Sequence, residues 1–299
     1  MNRLHPLITL VVLLAAWLLP HDARATGWRE LLGRPQPKAT KIFHYGSAPD
    51  QFAELWEPDG HGTFPVVVML HGGCWQESIG GVGLMAGLAE DLRQRGIAVW
   101  NVEYRREGAE GAGYPGTFLD VGDALDGLQN IAIDQGLDLA HVVALGHSAG
   151  GQLALWAAAR GRFRPGSPFY RRHPQKIQAV VSVAGIDDLA LYRDQGSPAC
   201  GVPGSIDALV SHDGKNSYGD TSPAAMLPLH VPQLVVSGTD DEIVPPEFGA
   251  AYTAAALKAG DKAEELVIKG AGHIDLIDPD SPGWAQVRAK LLAYLKQSR

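Results

Sequence analysis

The chain has 299 residues, of which 45% are hydrophobic and 19% are charged, so it can bury a large core. This composition excludes an intrinsically disordered, collagen-like or coiled-coil protein. The net charge is −8, from 25 basic and 33 acidic side chains. A mildly acidic surface repels polyanions, so no nucleic acid is expected as a partner.

The first 25 residues have the layout of a secretory signal peptide. Arg3 precedes an uncharged apolar run, Leu7–Leu19, and the small residues Ala23 and Ala25 occupy positions −3 and −1 of a cleavage site. A membrane span needs about 20 apolar residues, more than this run supplies. The sequence therefore predicts cleavage after Ala25 and a secreted or periplasmic mature chain, residues 26–299, with no stable membrane anchor after cleavage.

The remaining chain alternates predicted strands and helices. Strands are predicted at residues 65–70, 97–103, 142–145, 177–183, 234–237 and 266–269, and helices at 85–95, 118–135, 152–160, 248–259 and 284–296. The strand segments are continuous Val/Ile/Leu runs, which is typical of strands buried on both faces. The sequence therefore predicts an α/β fold, with a mostly parallel sheet covered by helices on both faces.

One segment, residues 188–232, interrupts this alternation. It has no strong hydrophobic period, and Gly, Pro, Ser and Asp are frequent in it. A long irregular stretch inside a compact domain is often a lid or part of a substrate site. We predict a lid-like insertion before the penultimate strand of a single domain; the alternative is a surface excursion without a function.

The pentapeptide Gly146–Gly150 reads GHSAG and fits the pattern G-x-S-x-G. The pattern occurs often by chance, but here it follows a predicted strand and opens a predicted helix. That position is the one required by a nucleophile elbow, a tight turn that exposes a serine hydroxyl. Ser148 is therefore the predicted nucleophile.

A second motif, HGGCW at residues 71–75, directly follows the predicted strand 65–70. Glycines allow backbone N–H groups to approach a substrate oxygen without a side-chain collision. We predict that the N–H groups of Gly73, Cys74 and Ala149 form an oxyanion hole. The alternative is an ordinary turn with two glycines.

Together, HGGCW and GHSAGG resemble motifs of the α/β-hydrolase superfamily. Within it they are similar to the esterase and formamidase branch that includes the kynurenine formamidases. They are also similar to the hormone-sensitive-lipase-like esterases, although Cys74 replaces the third glycine of that motif. The resemblance extends from about Phe52 to the C-terminus, and it implies an α/β-hydrolase fold with triad residues in the order Ser, Asp or Glu, His.

This order can be traced in the sequence. The family's acid follows a strand and precedes a Val-Pro pair, which Asp241 matches. Asp240 and Glu242 are neighbouring alternatives, whereas Asp187 and Asp188 follow the preceding strand, a less usual position for the acid.

His273 is the only histidine after Asp241, so it is the predicted base. It would accept the Ser148 proton and return it to the leaving group while the acid fixes its tautomer. The resemblance gives His71 and His147 structural hydrogen-bonding roles. No two histidines are closer than six positions apart, so a helix-borne zinc pair is absent and neither a metal nor another cofactor is expected.

The two cysteines, Cys74 and Cys200, would lie in an oxidising compartment after export. They can form a disulfide that ties the insertion to the oxyanion loop, or Cys74 can pack as a small apolar side chain. The sequence leaves both possibilities open, because pairing depends on geometry.

Three other classes of protein compete with a hydrolase. Residues 81–86 and Glu103 outline a dinucleotide site, but ten residues separate Leu70 from Gly81, so the required tight turn is missing. A binding protein on an inactive hydrolase scaffold usually lacks a triad residue, and none is missing here. A secreted peptidase of this fold normally carries an additional domain, which is not visible.

The sequence therefore predicts a secreted serine hydrolase that cleaves carboxylic esters with small or medium acyl groups. An aryl formamide is the alternative substrate, as the HGGxW resemblance implies. The expected partner is a small-molecule ester or amide, and the oligomeric state is open. Three residues are chosen by position as candidate substrate-binding residues: Trp75, Tyr192 and Tyr218.

Overall fold

The computed structural model describes residues 26–297, so the predicted signal peptide lies outside the described residues. A sheet of eight strands forms the centre of the fold. These strands are β1 (Lys41–His44), β2 (Phe52–Trp56), β3 (Phe64–Leu70), β4 (Ala98–Val102), β5 (Leu137–His147), β6 (Ala179–Val183), β9 (Gln233–Gly238) and β10 (Ala263–Ile268). A separate two-stranded hairpin is formed by β7 (Ser211–His212) and β8 (Lys215–Asn216).

The strand order in the sheet is β1-β2-β4-β3-β5-β6-β9-β10. β1 pairs antiparallel with β2, and β2 pairs antiparallel with β4. The strands from β4 to β10 along this order are parallel, so their carboxyl ends share one edge of the sheet. Loops at this edge can bring together residues that are distant in the sequence.

Nine α-helices surround the sheet in the described part of the chain. They are α1 (Trp28–Gly33), α2 (Ala86–Arg93), α3 (Gly116–Ile131), α4 (Ala149–Ala158), α5 (Leu189–Gln195), α6 (Gly204–Val210), α7 (Tyr218–Thr221), α8 (Pro246–Lys258) and α9 (Pro282–Gln297). No helix within residues 26–297 has both the length and the apolar character needed to cross a membrane.

The core has one apolar layer on each face of the sheet. In β3, Val66 and Val68 pack into the layer that contains side chains of α3, α4 and α8. The alternate residues Val67 and Met69 pack into the opposite layer, with side chains of α1, α2 and α9. Successive strand residues point to opposite faces, so a continuous apolar run is needed where both faces are covered. The predicted α/β fold is confirmed.

The structure adds elements that the sequence pattern did not predict. β1 and β2 extend the sheet before the first predicted strand, and both are short and partly exposed. The segment 188–232 contains α5, α6, α7 and the hairpin, so it is not irregular. Its helices have seven, seven and four residues, too few turns to give a visible 3.6-residue period.

Candidate active site

Ser148 lies at the sharp turn between β5 and α4. Its φ is 55° and its ψ is −120°, a positive-φ conformation that is rare for residues other than glycine. Two glycines make this turn possible: a Cβ at Gly146 would lie 1.9 Å from the carbonyl oxygen of Gly150, and a Cβ at Gly150 would lie 2.1 Å from that of Leu70. These close approaches explain the glycines on either side of the serine.

The backbone holds Ser148 in place. Its N–H donates to the carbonyl oxygen of Val183 in the neighbouring strand, at 2.9 Å, and its carbonyl oxygen accepts from Gly151 and Ile186. The hydroxyl makes no hydrogen bond of 3.5 Å or less with another described residue. Such contacts are commonly long in a free hydrolase and shorten when substrate binds.

Asp241 and His273 lie together in the loops after β9 and β10. Oδ2 of Asp241 lies 2.7 Å from Nδ1 of His273, and Oδ1 accepts the backbone N–H groups of Ile243 and Val244, each at 2.8 Å. The Asp241 side chain is fully buried, whereas that of His273 is 10% exposed. A proton on Nδ1 would therefore point at the carboxylate and leave Nε2 unprotonated, as a base requires.

His147 joins this pair to the elbow. Its Nε2–H donates to the carbonyl oxygen of His273 at 3.1 Å, and the two imidazole centroids are 4.5 Å apart. Burial lowers the pKa of His147 well below its usual value, and the nearby His273 and His71 lower it further. His147 is therefore neutral, and its hydrogen bond fixes the backbone of His273.

The other candidate acids have different partners. Asp240 is exposed and accepts a hydrogen bond from Thr239, and the neighbouring Glu242 is also exposed. Asp187 is buried against the hydroxyl of Ser182 at 2.8 Å, and Asp188 caps the N-terminus of α5. Of these carboxylates, Asp241 alone contacts His273 in the described structure.

The HGGCW loop lies against the elbow, because a Cβ at Gly72 would come within 3.0 Å of the Ser148 Cβ. Three successive residues, Gly73, Cys74 and Trp75, have positive φ, of 112°, 51° and 55°. The N–H groups of Gly73, Cys74 and Ala149 donate no hydrogen bond within residues 26–297. Unpaired amides are uncommon in folded proteins.

A buried charged cluster supports this loop from behind. Oε1 of Glu103 lies 2.8 Å from Nε2 of His71 and 3.2 Å from the Arg106 guanidinium. Oε2 accepts the N–H of Val82. Burial raises the pKa of Glu103, but His71 and Arg106 outweigh it and the net pKa is lowered. Nδ1 of His71 lies 2.7 Å from the carbonyl oxygen of Gly72, so the cluster fixes the peptide between Gly72 and Gly73.

The structure settles the cysteine question for the described residues. Cys74 and Cys200 form a disulfide, with their Cα atoms 5.3 Å apart. Cys200 belongs to the insertion and is completely buried. The insertion is therefore linked covalently to the HGGCW loop.

The three predicted substrate-binding residues differ in their surroundings. Trp75 is nearly buried, donates to Oε1 of Gln152 at 3.2 Å, and lines a cavity of about 200 Å³. Tyr218 is half-buried within the insertion, 3.4 Å from Asn216. The prediction for Tyr192 is wrong.

Tyr192 has no exposed surface, so it cannot line an open substrate pocket. Its hydroxyl donates to the carbonyl oxygen of Ile243 at 2.7 Å, and its ring packs edge-on against Phe248. It therefore supports the loop that carries Asp241. The place of an aromatic residue in the insertion does not by itself distinguish a lining residue from a supporting one.

Sequence reasoning also missed the role of Glu103, which appeared only as part of a dinucleotide outline. The sequence does contain one indication of this role. Glu103 is an ionisable residue at the end of the apolar run 97–103, and a buried charge requires a charged or hydrogen-bonding partner. Within residues 26–297, no group of three or more His, Cys, Asp or Glu residues could hold a metal ion.

The sheet order, the elbow and the Asp241–His273 pair define a protein of the α/β-hydrolase class. Residues 54–255 match the model of the BD-FAE family, and the chain belongs to that family.

Named relatives agree with this class. The chain is 30% identical, over 258 residues, to a probable isoprenylcysteine alpha-carbonyl methylesterase, ICMEL2, of Arabidopsis thaliana, covering 79% of this chain and 57% of that protein. It is 27% identical, over 212 residues, to the probable carboxylic ester hydrolase LipM of Mycobacterium tuberculosis, covering 67% of this chain and 47% of that protein. The chain thus spans about half the length of these relatives.

Among solved structures, native esterase 2 of Thermogutta terrifontis superimposes with a TM-score of 0.69. The sequences are 19% identical, and the match covers 87% of this chain and 92% of the other. At this identity the likeness concerns the fold. The resemblance to α/β-hydrolase esterases is confirmed, whereas the similarity to kynurenine formamidases stays a prediction.

Proposed function

We propose that this protein is a serine hydrolase that cleaves carboxylic esters. The observation that carries the proposal is the juxtaposition of the strained Ser148 turn, the Asp241–His273 pair and the unpaired amides of the HGGCW loop. The names of the relatives, which are esterases or ester hydrolases, support the same class of substrate.

In the proposed mechanism, Nε2 of His273 accepts the hydroxyl proton as Ser148 attacks the ester carbonyl. The N–H groups of Gly73, Cys74 and Ala149 stabilise the resulting oxyanion, because they are preorganised and need no rearrangement. His273 then protonates the leaving alcohol, leaving an acyl group on Ser148. Water, deprotonated by His273, releases the acid and regenerates the serine.

We further propose that the mature protein is exported after cleavage behind Ala25 and acts on esters of small or medium acyl groups. The Cys74–Cys200 disulfide supports export, because such bonds persist in oxidising compartments. The sequence layout of residues 1–25 supports it independently.

The test is hydrolysis of p-nitrophenyl acetate, butyrate and octanoate, with an N-formyl anilide as the competing amide substrate. We expect ester turnover in the wild type and a loss of about 10⁵- to 10⁶-fold in Ser148→Ala. Ser47→Ala, which changes an exposed serine, is the matched control and should keep full activity. Turnover of the anilide alone would replace the ester proposal with a formamidase, and equal ester turnover in Ser148→Ala would overturn the mechanism.

A further inference from the structure

Thr26 lies against acidic side chains beside the loop that carries His273. Its backbone nitrogen donates to Oδ1 of Asp275 at 2.7 Å, and its hydroxyl donates to Oδ2 of Asp278 at 3.0 Å. The partners are about 250 positions apart in the sequence, so these contacts depend on the complete fold. They place residue 26 next to the catalytic edge of the sheet.

The carboxylate of Asp275 continues the connection. Its second oxygen, Oδ2, accepts the N–H of Gly272 at 2.8 Å. Gly272 directly precedes His273, whose ring is held by Asp241. A single carboxylate therefore links Thr26 to the backbone of the proposed base.

The charges at this position do not balance within the described residues. Asp278 and Asp280 have Arg34 as a partner, at 2.7 and 3.6 Å. No Lys, Arg or His side chain in residues 26–297 forms an ion pair with Asp275, although Lys269 lines the same cleft. A positive group at the Thr26 nitrogen would supply the missing partner.

We propose that cleavage between Ala25 and Thr26 creates an α-ammonium that pairs with Asp275 and so positions the His273 loop. Hydrolysis adds one water across the peptide bond: Ala25 leaves as a carboxylate, and the Thr26 nitrogen becomes an ammonium. Before cleavage that nitrogen offers one neutral N–H, whereas afterwards it offers three donors and a full charge. Charge-assisted hydrogen bonds are about twice as strong as neutral ones. Asp275 is thus a positioning residue, and its role rests on the function proposed above for His273.

If Thr26 is the N-terminus of the exported protein, periodate should react with it selectively. Periodate cleaves the carbon–carbon bond of a 1,2-amino alcohol, so it converts an N-terminal threonine to a glyoxylyl group with loss of acetaldehyde and ammonia. Internal serines and threonines lack the free amine and do not react. Thr26 lines a cleft of about 340 Å³, which the reagent can enter.

The full chain is expressed and exported in a bacterial host, and its N-terminus is determined by mass spectrometry. Ester turnover is then measured before and after treatment with periodate. We expect kcat/KM to fall roughly tenfold in the wild type, as loss of a charged hydrogen bond implies. Thr26→Ala is the matched control. It keeps the α-ammonium but lacks the neighbouring hydroxyl that periodate requires, so periodate should leave its activity unchanged.

Asp275→Asn provides a second readout. It should show a similar loss, with no further loss after periodate. The wild type should also lose activity above pH 8, where an α-ammonium ordinarily deprotonates, and Asp275→Asn should not. The charged side chains that face this position are Asp275, Asp278, Asp280, Arg34 and Lys269. Burial raises the pKa of Asp278, but the hydrogen bond from Arg34 outweighs it and the net pKa is lowered. The same hydrogen bond raises the pKa of Arg34, so both groups move away from pH 7–9.

Three results would overturn the proposal: an N-terminus other than Thr26, an unchanged wild type after periodate, or equal losses in the wild type and Thr26→Ala. In each case, full ester turnover that depends on Ser148 would leave the proposed function standing. Absence of ester turnover in the untreated wild type would overturn both.

Discussion

The two sides of Ser148 are held by different kinds of interaction. On the oxyanion side, a disulfide and the buried Glu103–His71–Arg106 cluster support a backbone with three successive positive φ angles. On the acid–base side, the Asp241 carboxylate is held by two backbone amides and His147 fixes the next loop. The strained backbone of the HGGCW loop persists only because the surrounding contacts hold it. The His273 imidazole needs only hydrogen bonds that fix its orientation.

The largest effect is expected on the acid–base side. Asp241→Asn keeps the size of the side chain but removes the charge that fixes the His273 tautomer, so kcat should fall by about 10⁴-fold. Asp240→Asn, one position away and exposed, is the matched control and should retain normal turnover. Equal effects of the two substitutions on ester hydrolysis would contradict the assignment of Asp241.

On the oxyanion side, Glu103→Gln should affect stability and activity together. Removing one partner of a buried ion pair costs about 3–5 kcal/mol of unfolding free energy, measured by urea denaturation. Turnover should fall less than the ~10²–10³-fold loss that follows removal of a whole oxyanion donor. Glu107→Gln, also in the β4–α3 segment, is the control; a Glu103→Gln protein of normal stability would show that the cluster does not support the loop.

Removal of the disulfide should have a smaller effect on turnover. The paired change Cys74→Ser with Cys200→Ser should lower the unfolding free energy by about 2–5 kcal/mol, because the bond closes a long loop. We expect kcat to fall only a few-fold, since Glu103 still holds His71 at the start of the HGGCW loop. A loss of activity as large as that in Asp241→Asn would mean that the disulfide alone shapes the site.

The smallest expected effect is on the pH dependence of the unfolding free energy, to which the buried Asp187 and His147 contribute. Burial raises the pKa of Asp187 to about 7, although the hydrogen bond from the Ser182 hydroxyl opposes this shift. The folded state therefore binds the Asp187 proton more tightly than the unfolded state does. Because of this, the unfolding free energy falls as pH rises from about 4 to 7. The pKa of His147 is lowered, so the unfolded state binds more protons and stability rises with pH up to about 6.5. The two contributions therefore oppose each other.

Asp187→Asn removes the falling contribution, so its unfolding free energy should rise with pH more steeply than that of the wild type. The change in slope should be at most about 1.4 kcal/mol per pH unit between pH 4.5 and 6.5. Urea denaturation at three pH values gives this slope, and Asp240→Asn, which changes an exposed carboxylate, serves as the control. Parallel wild-type and Asp187→Asn profiles would show that Asp187 is ionised in the folded protein.

The parallel centre of the fold could be predicted because its strands are buried on both faces and therefore appear as continuous apolar runs. β1 and β2 could not be predicted in this way because they are short, partly exposed strands at the antiparallel edge of the sheet. Ser148, Asp241 and His273 were placed by motif spacing and strand order, and the structure brings the last two into contact. Glu103 and Tyr192 act through contacts with distant segments, which no local pattern encodes.

Fluorophosphonate labelling of the purified protein, followed by peptide mass spectrometry, tests directly whether Ser148 is a nucleophile activated by His273. We expect one phosphonylated residue, Ser148, in the wild type and in Asp240→Asn. Labelling should be much slower in His273→Ala and Asp241→Asn, because the serine is no longer activated. Labelling at another residue, or an equal rate in His273→Ala, would contradict the proposed nucleophile and base.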